Sequence, residues 1–266
     1  MTPPMPQQPP FYVPAGEGRF LSQLTTASPW GPTSQHGSPP SALLGRAIER
    51  LDGGADRFVG RITVDLLGPV PVGPLSVEAA VVRPGRNLDL CEATLLDEEG
   101  GRAVARASAW RFPTGTSGPC PETAPLPHGP DDGAEQQEPA VWSPGYVQAV
   151  EWRWVKGGVA EPGPALVWMR PRVPLVEGEE TTPFQALMAC VDSASGVSAE
   201  LDVAEWGFQN PELTVHLLRR PVGDWFCLEA ETTLGSASAA VATSAVYDAQ
   251  GLVARTSQAL LTLPRR

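Results

Sequence analysis

Three side chains of this 266-residue chain combine the types that activate water or grip a carbonyl: Asp192, Gln258 and His36. Asp192 borders an apolar stripe of Phe184, Leu187, Met188 and Val191 rather than opposing it. A carboxyl at such a border is partly desolvated, which raises its pKa toward the range of a general base. It could take a proton from water or orient one beside a carbonyl. The alternative is a solvated helix Asp. Gln258 offers an amide that donates and accepts without changing charge; on the solvent side of a strand it would do neither job. His36 precedes Gly37 at a helix entry, where it could bond a carbonyl, act as acid or base, or cap the helix. Backbone N–H groups at Gly37 and beyond suit an oxygen or phosphate. Arg83 and Arg86 flank a Pro-Gly turn, where two cations could hold phosphates, or could be surface arginines. Trp152, Trp154, Trp168, Trp206 and Trp225 could line an apolar tunnel or fill a core. His128 and His216 have no His or Cys neighbour at ligand spacing, so no metal is expected. Neither a Gly-x-Ser-x-Gly elbow nor a phosphate loop nor Gly-x-Gly-x-x-Gly is present.

The elements that must position these groups occur twice. Ile62-Thr63-Val64-Asp65-Leu66-Leu67 matches Leu213-Thr214-Val215-His216-Leu217-Leu218 at an offset of 151. Val77-Glu78-Ala79 matches Leu228-Glu229-Ala230, and Asp97 to Gly100 matches Asp248 to Gly251, at the same offset. Val104 to Ala109 matches Val253 to Gln258 at an offset of 149. A long repeat that occurs twice is a duplication, not a solenoid. Two fused copies can imitate a homodimer and then diverge. Gln258 is where they diverge, because its partner is Ala109. Thr214 pairs with Thr63, which suggests a structural threonine.

Each copy reads as a short strand, a helix and an antiparallel meander. Pro39 and Pro40 open the first helix, with Leu43, Leu44, Ala47, Ile48 and Leu51 on one face. Thr182-Pro183 opens the second. Short strands are expected near Phe20 to Leu24 and near Val147 to Val155. The meander strands are Arg61 to Leu67, Leu75 to Val82, Leu88 to Asp97 and Ala103 to Phe112. Their counterparts are Leu213 to Leu218, Trp225 to Thr233, Ser238 to Tyr247 and Val253 to Leu263. This is an α+β pattern: two tandem units, each an antiparallel sheet wrapped around a long central helix. A doubly wound parallel fold would need a helix after nearly every strand.

The expected boundaries are a disordered tail over 1–16, a first unit over 17–112, a Pro/Gly/acidic linker over 113–140 and a second unit over 141–266. The apolar share of 42% suffices for a core, and the net charge of -11 demotes nucleic acid and anionic membrane as partners. No apolar run is long enough to span a bilayer and no secretory signal is evident. Cys91, Cys120, Cys190 and Cys227 lack paired spacing, which fits reduced thiols in a cytoplasmic protein. Exposed sheet edges or faces leave room for a homodimer of double units.

The plan resembles the hotdog fold, and its duplication resembles the double-hotdog acyl-CoA thioesterases. Trp30 through His36-Gly37-Ser38-Pro39-Pro40-Ser41-Ala42-Leu43-Leu44 is similar to that family's first helix entry. Arg83 to Arg86 and Val104 to Ala107 resemble its first meander, and Leu213 to His216 and Val253 to Gln258 its second unit. The resemblance covers about residues 17–264 outside the linker. It implies hydrolysis of an acyl thioester on CoA or an acyl carrier, without a cofactor. In hydrolytic members an Asp on the second helix, a Ser or Thr on the next strand and a Gln near the last strand hold the attacking water. Asp192 and Gln258 match two of these places. The third falls near Asn210-Pro211, where no hydroxyl stands; Thr214 is the nearest on that strand. The same scaffold also carries dehydratases, cyclases and other tailoring enzymes, for which His36 would need a carboxylate across the groove, and non-catalytic acyl binders.

Overall fold

A computed structural model of the chain describes residues 8–52, 56–115, 125–136, 143–159 and 161–265. Among the described residues fifteen strands and four short or medium α-helices follow one another. The first half contains β1 (Tyr12–Gly16), β2 (Arg19–Ser22), β3 (Ala27–Ser28), β4 (Gly31–Gln35), α1 (Ser38–Glu49), β5 (Arg57–Leu66), β6 (Pro74–Arg83), β7 (Asp89–Asp97) and β8 (Arg102–Pro113). The second contains α2 (Tyr146–Ala149), β9 (Val150–Gly158), β10 (Glu161–Pro171), α3 (Pro183–Val191), α4 (Ala194–Val197), β11 (Trp206–Gln209), β12 (Glu212–Leu217), β13 (Phe226–Leu234), β14 (Ala239–Asp248) and β15 (Gly251–Pro264).

The two copies form one continuous antiparallel sheet. Its order is β1-β2-β6-β7-β8-β5-β12-β15-β14-β13-β10-β9, with β11 added on β15. The order is a palindrome in the repeat: β5 answers β12, β8 answers β15, and so outward. The copies join where β5 meets β12, with Thr63 opposite Thr214, Ile62 opposite Val215 and Val64 opposite Leu213. The twin threonine hydroxyls bond each other at 3.0 Å, which puts a pseudo-twofold axis between them. The repeated Asp97 and Asp248 do the same local job. Each folds back to accept from backbone N–H groups two residues or more ahead, closing the β7–β8 and β14–β15 turns.

The apolar face of this sheet closes on the helices. Leu43, Leu44 and Ile48 of α1 and Leu187, Met188 and Val191 of α3 are fully buried in one core shared by both units. The helices lie side by side and antiparallel. At one end Glu49 of α1 accepts from Thr182 and Gln185 at the start of α3; at the other, Gly37 at the start of α1 meets Asp192 at the end of α3. Arg46 and Arg50 lock the first of these ends by pairing with Glu179.

Several expectations change. Residues 11–16 are not a tail, because Phe11 and Tyr12 are fully buried and β1 joins the sheet edge. Val147 to Ala149 is a helical turn rather than strand; a left-handed-side glycine, Gly145 at φ 158°, starts it. The second helix is short: nine residues in α3, a break at Asp192–Ser193, then α4. β10 was not foreseen, because Pro162, Gly163 and Pro164 disguise its first half. The linker is in part a strap. Ala134 exchanges two backbone bonds with Trp154, and Gln136 bonds the β9–β10 turn at Gly157 and Val159. Residues 116–124 and 137–140 of the linker, and Cys120 with them, lie outside the described residues. The other three cysteines are free and buried. Among the described residues no helix is long and apolar enough to cross a membrane.

Candidate active site

The open end of the helix pair carries the site. Asp192 is the C-cap of α3, where the chain leaves the helix before α4 resumes it. Its side chain is 4% exposed. Oδ1 accepts from Asn210 Nδ2 at 2.7 Å and from Gln258 Nε2 at 2.9 Å. The same Gln258 nitrogen reaches the Asp192 carbonyl at 3.0 Å, and its Oε1 accepts from the Ser195 N–H at 3.1 Å. Gln258 is thus fully buried and clamps both sides of the helix break. Oδ2 accepts no hydrogen bond from the described residues, and Asp192 lines a cavity. It lies against Gly37, where any Cβ would collide with it. Only glycine lets the first unit's helix entry approach the carboxylate this closely.

His36 completes this end. Its Nδ1 accepts from the Ser38 N–H at 3.1 Å, which fixes the proton on Nε2. The 3.7 Å between Nδ1 and Asp192 Oδ2 is therefore a contact between neutral ring and carboxyl, not an ion pair. The ring stacks on Tyr146, with centroids 3.9 Å apart and planes 7° apart. Tyr146 is in turn held by the Ala189 carbonyl and Ser193. Burial pushes the His36 imidazole down to about 3, so it is neutral at any working pH. Burial pushes the Asp192 carboxyl up to about 7, against Asn210 and Gln258, whose N–H groups favour the charged form; nearby Glu212 adds to the rise.

A cavity of about 610 Å³ opens onto these groups, lined by His36, Gly37, Asp192, Asn210 and Ser195 among others. Part of its lining is exposed: Trp30, Pro69, Gln209 and Leu261, and at the strap Glu135 and Gln136. Another part is buried: Tyr146, Val147, Val150 and Trp154, with half-buried Trp152. This arrangement can hold a water on Oδ2, present Nε2–H to a carbonyl oxygen and admit an apolar chain.

The structure brings together Asp192, Gln258, Asn210, His36 and Gly37. It does not bring Thr214 there. Its hydroxyl is taken by Thr63 and Glu212, at the centre of the sheet. Asn210 stands on the carboxylate instead, an amide where the resemblance led us to look for a hydroxyl. Arg83 and Arg86 do not line the cavity; Arg83 lies over Trp110, and the Arg86 carbonyl accepts from Arg57. Of the five second-copy tryptophans only Trp152 and Trp154 line it, while Trp168 is buried on the His128 carbonyl and Trp225 stacks under Arg170. Sequence reasoning missed Tyr146 and Ser195. Tyr146 had no repeat partner to mark it, and Ser195 acts through its backbone. In the first copy Arg111, on the same strand face as Ala109, is 1% exposed and fills the equivalent place with bonds to Leu51, Asp52 and Asp89.

Comparison with known proteins agrees with the duplicated plan. No curated protein matches the sequence. Among solved structures, a conserved hot dog fold protein from Alicyclobacillus acidocaldarius superposes with a TM-score of 0.72 at 19% identity, covering 96% of each chain. The TesB protein of Mycobacterium avium subspecies paratuberculosis gives 0.65 at 17% identity, covering 95% of this chain and 96% of that one. The acyl-CoA thioesterase II TesB2 of Mycobacterium marinum gives 0.65 at 14%, covering 96% of each. At such identities these likenesses establish the fold. Family matching goes further: residues 26–112 match the acyl-CoA thioesterase N-terminal domain and residues 124–262 the acyl-CoA thioesterase C-terminal domain. The chain belongs to the acyl-CoA thioesterase family and is an acyl-CoA thioesterase-like hydrolase of hot dog fold.

Proposed function

We propose that the chain hydrolyses an acyl-CoA thioester with a water held by Asp192. The observation that carries this is the division of labour on one cavity-lining carboxylate: Oδ1 tied by two amides, Oδ2 without a donor among the described residues. The amides fix its orientation, so Oδ2 is pre-aimed. Water on Oδ2 attacks the thioester carbon and gives its proton to Asp192. The carbonyl oxygen becomes an oxyanion and is met by His36 Nε2–H and the Gly37 N–H. Collapse breaks the C–S bond, and Asp192 returns the proton to the leaving thiolate. A carboxyl near 7 serves both directions, since base and acid forms coexist there. Gln258 and Asn210 are positioning residues. An acidic chain with three buried free thiols fits the cytoplasm.

The test is release of free CoA thiol from a panel of acyl-CoAs. Asp192→Asn should lose about 10²–10⁴-fold in kcat, the usual worth of a general base. Unchanged turnover in that variant would remove the mechanism.

A second reading rests on the His36–Asp192 juxtaposition at 3.7 Å, the imidazole and carboxylate that dehydration of a 3-hydroxyacyl thioester would use. Enoyl absorbance from 3-hydroxyacyl-CoA without thiol release would favour it. Acyl ligand retained on the purified protein with no turnover would mark a binder.

A further inference from the structure

We propose that the buried arm of the cavity is an acyl pocket for ring-bearing acyl groups, ended by the strap between the two units. This deepens the thioesterase reading and rests on it for the word acyl. The direction of the substrate follows from exposure. Among the lining residues Trp30 and Leu261 are 44% and 43% exposed and Tyr146, Val147 and Val150 are nearly inaccessible, while Glu135 and Gln136, beside the Ala134–Trp154 bridge, are exposed again. The polar, flexible carrier end belongs against the exposed lining at Trp30 and Leu261, and the acyl group against the buried aromatic stretch between Asp192 and the strap.

An aromatic wall runs along this buried stretch. It starts at His36 on Tyr146, continues to Trp152 edge-on at 6.2 Å, and reaches Trp154, near-parallel to Trp152 at 6.5 Å and 16°. Each ring is locked: Tyr146 by Ser193 and the Ala189 carbonyl, Trp152 by its Nε1–H on the Val147 carbonyl, Trp154 by the backbone bridge of its own residue to Ala134. Rigid faces reward a flat ligand and give a flexible alkyl chain no comparable pairing. Beyond Trp154 the strap crosses. Glu135 and Gln136 line the cavity there, and Gln136 is fastened by its Nε2–H to the Gly157 carbonyl and by the Val159 N–H to its Oε1. The strap therefore sets how far an acyl group reaches. An element that composition marks only as a linker becomes a wall of the pocket.

Two stacked contacts, each worth about 2- to 12-fold, predict a preference of about 4- to 150-fold for a ring. The experiment compares 3-phenylpropionyl-CoA with decanoyl-CoA, first as kcat/KM with the wild-type chain, then as binding to Asp192→Asn by calorimetry. Expected is a preference of about fourfold or more for the phenyl compound in both. Trp154→Leu should bring that ratio to about one, and Gln136→Ala, an exposed site that spares the core, should improve decanoyl-CoA relative to the phenyl compound. Equal or better use of decanoyl-CoA by the wild-type chain, or ratios unmoved by both variants, overturns the proposal. If the wild-type chain cleaves neither thioester, the hydrolysis reading falls, and the binding ratio in Asp192→Asn still decides the pocket.

Discussion

Asp192→Asn should stabilise the fold, and more so as pH rises. The carboxyl lies at about 7 in the folded chain against an ordinary value of 3.8. A raised carboxyl means the folded state holds its proton more tightly than the unfolded one. Below pH 3.8 both states are protonated and nothing is lost. Between 3.8 and about 7 stability falls as pH rises, and above 7 the full cost of burying the charge applies, about 4 kcal/mol. At pH 5 that cost is about 1.5–2 kcal/mol; at pH 8 it is complete. Asparagine keeps an Oδ1 to accept from Asn210 and Gln258, and its uncharged end adds at most a fixed cost for an unpaired amide. That fixed cost cancels on comparing two pH values. His36 titrates with the opposite sign, losing stability as pH falls below its ordinary range, and is present in both proteins. The gain of the variant over the wild type should thus be about 2–3 kcal/mol larger at pH 8 than at pH 5, or about 5–10 °C in Tm. Urea denaturation at the two pH values measures it. A difference between variant and wild type that is the same at pH 5 and pH 8 would refute a desolvated, raised carboxyl.

Other outcomes follow from single contacts. Gly37→Ala drives a methyl into Asp192 Oδ2 and should cut turnover at least 100-fold while the chain still folds, read by thiol release and circular dichroism. Thr214→Val removes the bond across the pseudo-twofold and should cost about 1 kcal/mol in urea denaturation, with kcat within twofold of wild type. A catalytic threonine would instead show a large fall in kcat. Arg111→Met should destabilise by about 3 kcal/mol or more, because it leaves Asp89 buried and short of a partner.

The duplication was legible because strand periodicity and turn residues were copied together. The offset that pairs Thr63 with Thr214 in sequence is the one that sets them face to face on the sheet. Gln258 was legible as the point where the copies part, and Asp192 through the family's pattern. The role of Asn210 was not legible, because nothing local says that an amide before a proline will swing onto a carboxylate 18 residues earlier. Nor was the Tyr146–His36 stack, which two units make only when folded together. The shortness of α3 escaped notice since its break follows from Gln258 holding the Asp192 carbonyl and the Ser195 N–H, a tertiary grip on a run that reads as helix. The strap looked like a linker since its bonds are made largely by backbone and one amide.

The dependence of kcat/KM on pH tests the central claim most directly. The account predicts that thioester hydrolysis rises with pH through a single inflection near 7 and then levels, as Asp192 loses its proton. In Gln258→Ala and Asn210→Ala the inflection should move upward, because each removes an N–H that favours the charged carboxylate. A profile flat from pH 5 to pH 9, or an inflection that persists in Asp192→Asn, would contradict it.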